Sequence, residues 1–220
     1  MTEIVVIVAA GPGLGRSVAL RFAREGSDVA LLARSAERLE PLVGELQALG
    51  VRAHAVAADA ADEASLRSGF EDVRRVLGDP GVLVYNASEY VQGRPTSVGY
   101  DEFVHGLLVG VGGALVAAQE VAPAMRAAGR GTVLLTGSEA ALRPSVAAAG
   151  LGVAKAGLRN LAFSLATDLE PDGVHVTTVT IRGVLKAGTA FDPDVIAEHY
   201  WRLHVQPRPE WQPEFVLTKD

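Results

Sequence analysis

Three short stretches carry residues that could do chemistry. Lys155 is the only lysine in GLGVAKAGLRNL, Gly150 to Leu161, where most neighbours are small or apolar. A buried ammonium costs several kcal/mol unless hydrogen bonds meet it. Ligand hydroxyls would serve, and the other course is for the four-carbon stem to carry the charge out to solvent. Near the N-terminus, EIVVIVAA runs straight into GPGLG and then a helical pattern. A glycine turn between strand and helix lets backbone approach a diphosphate, and the helix N-terminus adds free N–H groups and partial positive charge. Gly11, Gly13, Leu14 and Gly15 are therefore candidate phosphate-binding residues. Farther on, DVALLA ends in Ala33, followed by Arg34 and Ser35. A ribose diol would call for an acidic residue there, whereas a guanidinium suits a 2′-phosphate. This favours NADP(H) over NAD(H), with Ser35 as a second phosphate contact and the cap of the next helix.

These residues need a scaffold that brings strand ends together. Short apolar, β-branched runs alternate with helical patterns: IVVIVA, DVALLA, RAHAVAA, GVLVYN, GTVLLTG and VHVTTVTI, each followed by a longer amphipathic or apolar stretch. Strands that read as continuous apolar runs belong to a sheet covered on both faces. The expectation is an α/β fold, a doubly wound, Rossmann-like parallel sheet in three layers. A single dinucleotide-binding domain over residues 1–220 is expected, with a proline-rich, irregular tail from about Gln206 and a short last strand.

The chain resembles a short-chain dehydrogenase/reductase. That family's opening pattern, Thr-Gly-x-x-x-Gly-x-Gly, aligns on VAAGPGLG, with Gly13 and Gly15 matching and the first glycine falling on Ala9. Gly11 is expected to compensate. The resemblance implies that Asp59, in VAADAADEASL, contacts the adenine amino group, and that Asn86 and Ala87, in YNAS, lie near the adenine ribose. Asp62 is read as a helix cap. The family's catalytic serine falls on Ser138 and its lysine on Lys155, which then holds the nicotinamide ribose. Its tyrosine falls on Leu151 and its asparagine on Gly110, and Leu151 transfers no proton. The resemblance thus points to an atypical member whose proton takes another route. Tyr90 is expected to act with Ser138 and Lys155 as the catalytic set, and Glu89, Tyr85, Glu139 and Lys155 itself are the other candidate proton donors. Small carbonyl, alcohol or imine substrates are expected. The alternatives are a non-catalytic NADP(H) sensor, or a cyclase or isomerase on the same scaffold.

Composition narrows the field. A net charge of −6 argues against nucleic acid as a partner. With no cysteine there is no disulfide or thiolate site, which suits a cytoplasmic protein. The run Gly106 to Ala118 reads as too short to cross a bilayer, which takes about 20 residues, so no membrane role is expected. His199 and His204 do not share a helix face, and no metal is expected. Gly- and Ala-rich helices around Gly106–Ala118 and Gly150–Ala166 point to a homodimer or homotetramer.

Overall fold

β1 (Ile4–Val8) is the third of seven strands in a fully parallel sheet, and the chain winds outward from it on both sides. The computed structural model describes residues 2–219. From β1 the chain passes through α1 (Leu14–Arg24), β2 (Asp28–Ala33), α2 (Glu40–Ala48), β3 (Ala53–Ala57) and α3 (Glu63–Val76). It then returns to β4 (Val82–Tyr85) on the other side of β1. There follow α4 (Tyr100–Leu107), a π-helical segment (Leu108–Gly112), α5 (Gly113–Ala128) and β5 (Gly131–Ser138). The last elements are α6 (Ala149–Leu169), β6 (Val174–Ile181), α7 (Pro193–His204) and β7 (Glu214–Leu217). Strand order is β3-β2-β1-β4-β5-β6-β7, with every neighbouring pair parallel. This is the doubly wound, Rossmann-like sheet expected from the alternation of strand and helix patterns.

Both faces of the sheet are covered. On one side Val6, Val8, Leu83 and Leu135 pack with Phe70 of α3, Val121 of α5 and Leu158 of α6. On the other, Val5, Ile7, Leu31 and Leu134 pack with Val18 and Phe22 of α1, Leu46 of α2 and Ile196 of α7. β1 is buried along its whole length, as a central strand with two covered faces must be. β6 departs from the continuous apolar pattern, because Thr177, Thr178 and Thr180 are also buried. Thr178 Oγ1 donates to the Leu135 carbonyl at 3.2 Å, and Thr180 Oγ1 donates to Glu214 Oε1 at 2.7 Å. Glu214 in turn takes both arms of Arg159, at 2.9 and 2.6 Å, which holds its carboxyl below the usual range. The tail beyond Gln206 runs irregularly through a short 3₁₀ turn to a short strand. Trp211 stacks on His175 at 4.8 Å and 4°, and β7 pairs with β6 from Thr178↔Glu214 to Ile181↔Leu217.

Two local expectations need correction. Ser35 caps no helix: the turn that follows begins at Glu37 without a side-chain cap, whereas Asp62 does cap α3, accepting from Ser65 N–H at 2.9 Å. The apolar run Gly106–Ala118 lies within a helix of 29 residues, Tyr100–Ala128, which is long and apolar enough to cross a membrane by length and composition. Its apolar side has an internal use, since Ala114, Ala117, Val121 and Met125 are buried against the sheet.

The turn after β1 holds the third correction. Ala9 sits in the left-handed region at φ +61, and Gly11 is not among the positive-φ residues. Gly11 therefore does not compensate for the alanine, because Ala9 adopts the strained conformation itself. For a residue with a Cβ this costs about 1–2 kcal/mol. Ala9→Gly should accordingly raise the urea midpoint, with a gain of about 1 kcal/mol in unfolding free energy. An unchanged or lowered midpoint would show that the turn bears no such strain.

Candidate functional site

Because β1 and β4 are neighbours while their following helices lie on opposite faces, a crevice opens at the C-terminal ends of these strands. A cavity of about 810 Å³ fills it. Its floor crosses four strand ends in spatial order: Ala58–Ala60 after β3, Ala33–Ser35 after β2, Val8–Pro12 after β1 and Ala87–Glu89 after β4. Arg38, Leu42 and Glu45 form one wall, and His105 and Val109 form part of another.

The glycine turn has the backbone a diphosphate needs. A Cβ placed on Gly11 or Gly13 would meet nothing within 4 Å, so the main chain is open there. Gly15 faces the other way. A Cβ on it would lie 3.0 Å from Ala10 Cα and 3.2 Å from the Ala9 oxygen, so α1 can approach β1 this closely only with glycine. No side chain caps α1 and no acidic residue stands in its first turn, so the positive end of the helix dipole is left for an anion. Gly11 lines the cavity; Gly13, Leu14 and Gly15 do not, and Leu14 is buried in the apolar cluster beneath.

At the β2 end three arginines line the cavity. Arg16 is committed to Glu45, at 2.5 Å. Arg34 and Arg38 form no ion pair among the described residues, and Ser35 lies between them in sequence. Arg38 was not anticipated from sequence. Its signal was the four-residue spacing in ARSAERL, which a short 3₁₀ turn at Glu37–Leu39 folds back onto the cavity. Asp59 and Ala87 also line the cavity, and Asp59 is held by the Ala61 N–H at 2.9 Å. Asn86 is turned inward: its backbone N–H donates to the Val8 oxygen at 3.0 Å and its Nδ2 to the Ala9 oxygen at 3.3 Å, pinning the strained turn.

The residues expected at the reacting end lie outside the cavity lining. Lys155 is only 5% exposed, so its stem does not carry the charge to solvent. Its Nζ donates to the Thr136 carbonyl at 2.7 Å, an acceptor that no sequence pattern reveals. No carboxylate among the described residues balances it, and burial brings its pKa down to about 8. Ser138 ends β5, where its Oγ accepts from the Ala140 N–H at 3.2 Å. Leu151 is half-buried in the first turn of α6. Gly110 lies within the π-helical segment, and a Cβ there would come 2.9 Å from Ala154 Cβ, so an asparagine has no room unless α6 moves.

Of the other proton-donor candidates, Tyr85 is buried, donates to the Val109 carbonyl and has its pKa raised by burial. Tyr90 is 63% exposed. Glu139 lies 3.4 Å from both Arg143 and Arg182. Glu89 does line the cavity, and His105 Nε2 approaches its Oε2 to 3.1 Å. Sequence could not pair them, since one follows β4 and the other sits on α4.

Residues 3–191 match the family model described as short chain dehydrogenase. The chain belongs to this family. It is 30% identical over 183 residues to the 3-oxoacyl-[acyl-carrier-protein] reductase of Staphylococcus aureus, covering 81% of this chain and 73% of the relative. Among solved structures, a short-chain dehydrogenase from Rhodopseudomonas palustris superposes with a TM-score of 0.89 at 29% identity, over 98% of both chains. A metagenomic short-chain oxidoreductase in complex with NADP does so with a TM-score of 0.89 at 27% identity, over 97% of this chain and 96% of the other. The short-chain dehydrogenase fold and the oxidoreductase family are thus established.

The buried lysine gives a measurable pH dependence. The folded state binds this proton less tightly than the unfolded chain, whose lysine titrates near 10.5. Stability is therefore depressed below pH 8 and rises as pH passes from about 8 to 10.5. In Lys155→Met this rise disappears. Relative to the variant, wild type should gain on the order of 3 kcal/mol across that window in denaturant titrations. Parallel curves for the two proteins would show that Lys155 is not held in a desolvated site.

Proposed function

We propose that this short-chain dehydrogenase is an NADP(H)-dependent oxidoreductase acting on a small carbonyl, alcohol or imine, and an atypical member that works without the tyrosine and asparagine positions of its family. The observation that carries the reading is the cavity across four strand ends, with free arginines at one end and an open glycine turn in its middle. Arg34, Arg38 and Ser35 would hold a 2′-phosphate, and the amides from Gly11 to Gly15 the diphosphate. Asp59 and Ala87 would face the adenosine, with Asn86 fixing the turn beneath it. The nicotinamide, when bound, supplies or takes up hydride. The NADP complex of the metagenomic relative supports this cofactor choice.

Proton handling at the reacting end falls to groups other than Leu151. Ser138 would hold the substrate oxygen, and Tyr90, beyond the end of β4, offers an exposed hydroxyl. A Lys155 ammonium with a pKa near 8 releases its proton more readily than an ordinary lysine. An imine needs least help, since it can be protonated before it binds. The second reading, a binding protein that holds NADP(H) without turnover, is favoured by one feature: Ser138, Leu151 and Lys155 lie outside the cavity lining. For assembly, exposed Leu108, Leu115 and Val153 on the α4–α6 helices give a homo-oligomer an apolar face.

Thermal unfolding with each cofactor separates these statements. NADP⁺ should raise the melting temperature more than NAD⁺ at equal concentration. Arg34→Ala with Arg38→Ala should lower NADP⁺ affinity on the order of 10- to 100-fold while leaving NAD⁺ affinity nearly unchanged. No shift with either nucleotide overturns the cofactor assignment. Steady NADPH consumption with a panel of ketones and cyclic imines then distinguishes the enzyme from the binding protein, for which stoichiometric binding without consumption is the expected result.

A further inference from the structure

β5 ends at Ser138 and β6 at Ile181, and the parallel register sets these two residues side by side. The loops that follow, residues 139–148 and 182–191, therefore leave neighbouring strands on the C-terminal side of the sheet, where the cavity also lies. Between them they carry three cations, Arg143, Arg182 and Lys186, against one carboxylate, Glu139, in a chain whose net charge is −6. Glu139 Oε1 lies 3.4 Å from Arg182 Nη2 and 3.4 Å from Arg143 Nε. Every other arginine–carboxylate pair among the described residues is 2.9 Å or shorter. A single carboxylate shared at that length by two guanidiniums leaves a positive charge unmet.

Arg182 is the residue best placed to use that charge. It directly follows Ile181, the register partner of Ser138, and its backbone is fixed, with its N–H donating to the Leu217 carbonyl at 3.0 Å. Its side chain is 33% exposed while its Nε is shielded, so a ligand meets the terminal nitrogens. Two guanidinium nitrogens match the two oxygens of a carboxylate. Neighbouring strands run about 4.8 Å apart, so a short molecule can reach Ser138 and Arg182 together. Leu142 and Val146 in one loop and Val184 and Leu185 in the other are exposed, and they offer its carbon chain apolar surroundings. We propose that Arg182 is a specificity residue that binds a carboxylate of the substrate while Ser138 holds the carbonyl oxygen, so that short oxo acids, or the matching hydroxy acids in the reverse direction, are the preferred substrates. This inference rests on the oxidoreductase reading, since it selects one class among the carbonyl and alcohol substrates named there. In the reductive direction NADPH and a proton are consumed as the oxo acid becomes its hydroxy acid.

Calorimetric titration of the NADP⁺-saturated protein with oxo acids and their methyl esters reads this contact without requiring turnover. The acids are 2-oxobutanoate, 3-oxobutanoate and 4-oxopentanoate, and each ester keeps the carbonyl while removing the charge. At least one acid should bind tighter than its ester by on the order of 10-fold or more. Arg182→Gln should abolish that difference and leave NADP⁺ affinity within about twofold, which also shows that the variant is folded. Glu139→Gln, which releases both guanidiniums from their shared partner, should tighten the acid severalfold. Acids that bind no better than their esters, a preference that survives Arg182→Gln, or an equal loss of NADP⁺ affinity in that variant overturns the proposal. Steady NADPH consumption with neutral ketones or imines beside any of those results leaves the oxidoreductase reading standing. If wild type binds no nucleotide, that reading fails and this inference fails with it.

Discussion

A parallel sheet brings the C-terminal ends of all its strands to one side, and that geometric fact underlies everything else in this protein. The glycine turn, the arginine pair, Asp59 and Glu89 are far apart in sequence, yet each follows a strand or the turn next to one. Neighbouring strands lie about 4.8 Å apart, so four ends in a row make a floor long enough for an extended ligand. Helices on both faces keep the strands buried, and the reversal of direction at β1 and β4 keeps the floor open.

The same sheet also creates the protein's most unusual electrostatic feature. Thr136 belongs to β5, and its carbonyl receives the Lys155 ammonium while its hydroxyl pairs with Tyr200 on the opposite face at 2.7 Å. One strand residue thus joins α6 to α7 through the sheet. The ammonium gains a strong acceptor but no counter-charge among the described residues, so desolvation prevails and lowers its pKa. Its one hydrogen bond ties α6 to β5 without an ion pair.

Much of the architecture was legible because strand and helix periods differ and the chain alternates between them without interruption. The glycine turn and Arg34 were legible for the same reason, since each directly follows a strand whose end is easy to place. Three features were hidden. Ala9 takes a backbone conformation that its residue type disfavours, so sequence pointed to Gly11 instead. The acceptor for Lys155 is a main-chain carbonyl, which every residue carries and no pattern marks. The approach of Glu89 to His105 depends on how a loop folds over a helix, and residue spacing does not encode that.

The C-terminal strand bears on how Lys155 is held. Arg159 lies one helical turn beyond Lys155 on α6 and grips Glu214 at the start of β7, which Thr180 of β6 also holds. α6 is therefore moored twice within a single turn, once to β5 through Lys155 and once to the outermost strand through Arg159. Two moorings so close together fix the rotation of the helix about its own axis. β7 thereby acts as a stay that sets which way the lysine points.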